Sequence, residues 1–138
     1  MNVYLDTSVA LRRLLRQPDA LSPWGHWARV YASALLRVEA LRTADRLRLE
    51  GALDDGQRAE LSRQIAILAD SVHLVPVSDA ILKRAAEPFP TVLGTLDAIH
   101  LATALAVETQ EGVRLTLLTH DGQLAQAARS MNLPVAGI

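Results

Sequence analysis

The 138-residue chain has no cysteine, which excludes disulfides, thiolate zinc sites and thiol nucleophiles together. Long apolar runs are missing too. The stretch around LATALAV at 101–107 falls far short of the roughly 20 residues of a membrane-spanning helix. Neither sign of charge dominates: 14 basic residues face 15 acidic ones, for a formal net charge of −1. No global field therefore advertises nucleic acid, although 13 of the 14 basic residues are arginine and local fields remain. The single lysine, Lys83, follows an ordinary helix cap, which disfavours a phosphoryl-receiver or aspartyl-phosphate site. No glycine-rich phosphate loop, internal repeat, low-complexity tract or linker occurs. The first residues already read as a strand ending in an acid, so a secretion signal is not expected and the expected location is cytoplasmic.

What remains is a composition that folds. Half the residues are apolar and 21% are charged, enough for one domain with a real core over residues 1–138. NVYL at 2–5 reads as a buried strand, followed by a helix over 7–17. Pro18, Ser22, Pro23 and Gly25 then break the chain around an expected helical turn at 24–28. A short strand at 30–32 leads into a helix over 33–50, and a second helix at 55–70 carries Leu61, Ile65 and Leu68 on one face. HLVPV at 73–77 suits an edge strand because of Pro76. Ser78 and Asp79 can cap a helix through 86. An alanine-rich helix at 96–109, a strand at 114–119, a helix at 122–131 and a final strand in PVAGI complete the chain. This βα alternation predicts an α/β fold, a three-layer α/β/α sandwich on a mainly parallel sheet.

Four acids stand out against that pattern. Asp6 closes NVYLDTS, Asp121 closes RLTLLTHDGQ, Asp97 opens the helix in GTLDAIHLATAL, and Glu39 lies early in the helix after VYASA. In an open parallel sheet the strand carboxyl ends share one edge, and sites collect there. Carboxylates gathered so closely repel. At about 4 Å and an effective dielectric near 20, each pair costs about 4 kcal/mol, and a divalent cation removes the difficulty. Each acid alone has a bland reading. Asp6, Asp97 and Asp121 suit helix starts, and Glu39 can pair with Arg42 one turn on. Their conjunction from four separate parts of the chain favours a site.

In NVYLDTSVAL, ASALLRVEALR, LDAIHLATAL and LLTHDGQLAQAA, in that order and nearly spanning the chain, the sequence resembles the PIN-domain proteins, and among them the VapC toxins. The resemblance implies a ribonuclease whose Mg²⁺ or Mn²⁺ site is formed by Asp6, Glu39, Asp97 and Asp121. Thr7, Ser8 and Thr119 match supporting hydroxyl positions. It also implies a cognate antitoxin partner and a homodimer, with the long mid-chain helices (Leu47, Leu49, Leu53) as a possible interface. The residue types suit the chemistry, because Mg²⁺ takes hard oxygen ligands and keeps several waters. Among the arginines flanking the acids (Arg12, Arg13, Arg16, Arg37, Arg42, Arg46), Arg42 is the best single candidate for a site role, the others reading mostly as a solvated face.

Other residues support weaker rival readings. His26, His73, His100 and His120 raise metal-free acid–base cleavage, but only His120 adjoins an acid, and His100 reads better as a local pair or partly buried ring. Trp24 and Trp27 suit a packing lid or interface better than base stacking. A rival from another class is a PIN-like module that binds a partner protein without catalysis.

Overall fold

Alternate side chains of the first strand, β1 (Asn2–Leu5), serve two different cores, and this organises the whole molecule. Tyr4 joins Tyr31, Leu115 and Leu117 on one side of the sheet, while Val3 and Leu5 join Ala32 and Leu118 on the other. A strand covered on both faces reads as an apolar run, which is why Val3, Tyr4 and Leu5 follow one another without a polar residue. The computed structural model describes Met1–Ile138. Its strands are β1, β2 (Arg29–Ser33), β3 (His73–Val75), β4 (Leu115–Leu118) and β5 (Val135–Ala136). All pair in parallel, in the order β3-β2-β1-β4-β5. The three-layer α/β sandwich expected from the sequence is therefore the fold.

Helices α5 (Thr95–Glu111) and α6 (Gly122–Ser130) pack on the Tyr4 side through Leu101, Ala104, Val107, Leu124 and Ala127. Small residues let α5 lie close: eight of its positions are buried, including Ala98, Ala102 and Ala104. The shorter helix α4 (Asp79–Ala85) rests beside it through Ile81 against Ile99 and Ala102. On the opposite face, α1 (Thr7–Leu14) contributes Val9 and Ala10, and α2 (Leu35–Leu49) contributes Leu36. An antiparallel helix, α3 (Asp55–Ser71), packs Leu61 and Ile65 on Ala40 and Ala44. Its start is fixed by a capping box in which Asp54 and Gln57 satisfy each other's backbone amides. No helix is long and apolar enough to cross a membrane.

Several boundaries differ from expectation. The first helix ends at Leu14 rather than 17, because Arg16 turns into left-handed backbone at φ 53°. Residues 24–28 form no helical turn. Gly25, at φ 87°, reverses the chain so that Trp24 and Trp27 meet edge to face at 5.0 Å over the Val3–Leu5 core. β3 does lie at the sheet edge, and it stops at Val75, before Pro76. Leu53 packs against the Ala40–Leu61 cluster, whereas Leu49 is exposed.

The strand order reverses direction at β1: the chain runs outward to β2 and β3, then returns to β4 on the other side. In open α/β sheets the carboxyl end of such a switch point leaves a crevice where ligands bind. Asp6 follows β1 directly, and Thr119 and Asp121 follow β4.

Candidate catalytic site at the carboxyl ends of the central strands

Asp6 leaves β1 with its amide donating to the Leu118 carbonyl at 3.0 Å, so the strand pairing runs to the edge of the crevice. It is the N-cap residue of α1, yet its side chain caps nothing. Instead, Oδ2 accepts the hydroxyls of Ser8 at 2.5 Å and Thr119 at 2.8 Å, while Oδ1 receives no hydrogen bond. The carboxylate is 5% exposed, so these donors replace much of its lost water. Thr119 in turn accepts the Asp121 amide at 3.0 Å, and Ser8 accepts the His120 amide at 3.1 Å. Two hydroxyls therefore stitch the end of β1 to the loop after β4. Gly137 closes on this loop from β5: a Cβ there would lie 2.5 Å from the Thr119 carbonyl oxygen, so only glycine fits.

Glu39 reaches the same crevice from α2. Its Oε1 accepts the Thr7 hydroxyl at 2.9 Å and lies 2.7 Å from His100 Nε2, while Oε2 receives nothing. Asp6 and Glu39 thus share one pattern, in which two donors occupy one oxygen and the other stays open. His100 Nε2 also lies 3.8 Å from Asp6 Oδ1, so one imidazole faces both acids. Burial opposes charging His100, but the Glu39 hydrogen bond and the charges of Asp6, Glu39 and Asp97 outweigh it, and its pKa is raised. For Glu39 burial likewise pushes up, and the hydrogen bond and charge of His100, with the Thr7 hydroxyl, bring it below the ordinary carboxylate value.

Asp97 sits in the first turn of α5 without capping it and makes no side-chain hydrogen bond. Burial and the charges of Asp121, Asp6 and Glu39 push its pKa to about 6, partly relieved by His100. This half-buried carboxyl therefore feels all three other acids. Asp121 is the exception to the pattern: exposed, it caps α6 by accepting the Leu124 amide at 2.9 Å, so the bland reading holds for it as far as Oδ1 goes.

Arg42 does not join the acids. Its guanidinium, 71% exposed, bonds Asp45 at 3.3 Å rather than Glu39, because Glu39 is already engaged on the crevice side by Thr7 and His100. The Trp24–Trp27 pair is partly buried, with the Arg13 guanidinium 5.4 Å from the Trp24 ring centroid. The histidines do not gather for acid–base work: His26 and His73 are exposed, and His120 Nδ1 is held by the Gly137 carbonyl at 2.6 Å. His100, expected as a local pair or a partly buried ring, is instead fully buried and bonded to distant residues. Its spacing of three from Asp97 was visible, but its partners Glu39 and Tyr4 lie 61 and 96 positions away.

No group of three or more His, Asp or Glu side chains stands close enough together to hold an ion as arranged. The donor set nonetheless fits a hard divalent cation. Mg²⁺ is held by one or two carboxylates and keeps the remainder of its shell as water. The open oxygens of Asp6 and Glu39, and the crowded, unbonded Asp97 carboxyl, are what such an ion would neutralise.

The PIN domain family model matches residues 3–130, and the chain belongs to that family. It is 33% identical over 137 residues to Ribonuclease VapC46 of Mycobacterium tuberculosis, covering 96% of this chain and 95% of the relative. With Ribonuclease VapC47 from the same species it shares 27% over 141 residues, covering 97% and 95%. In fold it is similar to VapBC2 from Rickettsia felis bound to a DNA fragment from its promoter (TM-score 0.67, 15% identity, covering 99% and 98%). It is also similar to FitAB bound to the IR36 DNA fragment (TM-score 0.69, 18% identity, covering 99% and 94%).

Proposed function

We propose that this protein is a divalent-metal-dependent endoribonuclease, hydrolysing RNA phosphodiester bonds as the toxin of a type II toxin–antitoxin pair. The observation that carries this reading is the shared arrangement of Asp6 and Glu39, each with one oxygen held by two donors and the other open, beside an Asp97 that three neighbouring acids destabilise. The ribonuclease relatives, matched along nearly the whole chain, support the same reading. Asp6, Glu39, Asp97 and Asp121 would hold Mg²⁺ or Mn²⁺, with Asp6 central. Thr7, Ser8 and Thr119 orient the carboxylates, as the partners of a ligating carboxylate do. When bound, the ion supplies Lewis-acid polarisation of a phosphoryl oxygen and readier ionisation of water. The side chains place the attacking water: its oxygen bonds to phosphorus as the bond to the 3′ oxygen breaks, leaving a 5′-phosphate and a 3′-hydroxyl. Asp97 or Glu39 accepts the water's proton, and the leaving 3′ oxygen takes a proton from solvent.

The partners follow from the same reading: a cognate antitoxin, consistent with a fold neighbour solved as a toxin–antitoxin complex, a second copy of this chain in a homodimer, and a cytoplasmic setting. Expression in a bacterial host tests it. Growth arrest by the wild-type chain, abolished by Asp6→Ala at equal protein level, is the expected result. Arrest indifferent to Asp6→Ala would favour a binding module without catalysis.

A further inference from the structure

His100 is among the most buried polar residues of the chain, 1% exposed on an otherwise apolar stretch of α5. A buried imidazole must satisfy both ring nitrogens or leave one unpaired at a cost of about 1–3 kcal/mol. Both are satisfied here. Nε2 lies 2.7 Å from Glu39 Oε1, and Nδ1 lies 2.8 Å from the Tyr4 hydroxyl. An ionised carboxylate only accepts, so Nε2 carries the proton given to Glu39, while Nδ1 accepts from the Tyr4 hydroxyl when the ring is neutral and donates to its oxygen when the ring is charged. Tyr4 is itself immobile, fully buried in the middle strand. The chain Tyr4–His100–Glu39 therefore runs from the centre of the sheet to the crevice, where it ends on Glu39 of α2.

We propose that His100 is a positioning residue for the acid site, donating from Nε2 to Glu39 Oε1 so that Oε2 is the oxygen presented to a bound divalent cation. The proposal rests on the reading of the acids as a metal site. Thr7 alone gives Glu39 a single hydroxyl donor, about which the long side chain can still swing. The second donor, 2.7 Å away and fixed by Tyr4, removes that freedom. His100 holds Glu39 as Ser8 and Thr119 hold Asp6, except that the donor is delivered by a different helix. Because α5 also carries Asp97 one turn earlier, the same helix sets two of the four acids.

The test uses Mn²⁺ alone as the probe, with binding measured by calorimetry on wild type, Asp6→Asn, His100→Leu, His100→Gln and His100→Asn. Steady-state cleavage of a model RNA is measured beside it. His100→Leu is expected to weaken Mn²⁺ binding by roughly 10–100-fold, the range seen when a partner of a metal ligand is removed. Gln carries an amide donor to about the Nε2 position and should recover most of that loss, whereas the shorter Asn should not. Cleavage by His100→Leu should fall in kcat with KM for RNA little changed, since a buried ring touches no substrate. Unchanged Mn²⁺ affinity in folded His100→Leu would overturn the proposal. Should that variant not fold, equal affinities of the Gln and Asn variants would overturn it instead. A wild type that binds no Mn²⁺, or an Asp6→Asn protein that binds it as well as wild type, would overturn the metal-site reading itself. Normal wild-type binding, lost in Asp6→Asn but intact in His100→Leu, would remove only the part assigned to His100.

Discussion

The Thr119 hydroxyl lies 2.8 Å from Asp6 Oδ2 and accepts the Asp121 amide at 3.0 Å, so one fully buried side chain ties the ends of β1 and β4. Thr119→Val keeps the shape and removes both bonds. Asp6 is left with Ser8 as its only donor and the Asp121 amide loses its partner. Losing a donor to a buried carboxylate costs about 1–3 kcal/mol. A loss of about 1–3 kcal/mol in chemical denaturation is expected, with Thr119→Ser close to wild type. Equal stability of the Val variant would show that the hydroxyl does not support Asp6.

Asp97 should be a position where function opposes stability. Its pKa in the folded protein is raised to about 6 from 3.8, mainly by burial and then by the charges of Asp121 and Asp6. A raised carboxyl contributes stability that is present below its unfolded value and lost as pH rises through the folded one. Metal-free protein therefore loses this contribution between about pH 4 and 6. Asp97→Asn removes the charge, and its benefit at pH 7.5 should be about 1 kcal/mol once solvent screening of a half-exposed group is allowed for. That corresponds to a Tm about 3 °C higher. Added Mg²⁺ should raise the Tm of wild type but not of the variant, and the variant should not cleave RNA. A lower Tm for metal-free Asp97→Asn would show that this carboxyl is not under strain.

The His100–Glu39 pair governs a different pH window. His100 is raised above 6.5, so its contribution is complete below that value and disappears as pH climbs through the folded pKa. Glu39 is lowered below 4.5, so its share is present above that value and disappears only as pH falls through the folded pKa. Denaturation midpoints measured from pH 5 to 9 on metal-free protein should decline on the alkaline side for wild type. The decline should be much shallower for Glu39→Gln, which removes the strongest influence holding the proton on His100. Parallel curves for the two proteins would contradict the pairing.

The parts of this fold that were legible in the sequence are those governed by local pattern. NVYL and LTLL are mainly apolar runs too short for helices, one followed at once by Asp6 and the other, three residues on, by Asp121, and both become neighbouring central strands. The helices expected at 33–50 and 55–70 are α2 and α3, whose ends fall within two residues of those bounds. Where the chain was misread, tertiary packing decided. A helical turn at 24–28 looked reasonable from PWGHW, but burying both indoles against the Val3–Leu5 core required the extended reversal at Gly25. Arg42 had the right spacing to meet Glu39, yet Glu39 turns inward to Thr7 and His100 and leaves Arg42 to Asp45. His100 reads from sequence as a local pair or a partly buried ring because nothing local distinguishes it from a core histidine; its partners are brought to it by the sheet and by α2.

The central claim is that the four carboxylates serve one metal-dependent hydrolysis. Incubating RNA with the purified protein in Mg²⁺, and then in excess chelator, tests it most directly, with the termini of the fragments identified. Cleavage that needs Mg²⁺, leaves 5′-phosphate ends, and is absent in Asp6→Asn and Asp97→Asn is the predicted result. Cleavage that persists in chelator, or that leaves 2′,3′-cyclic phosphates, would contradict it.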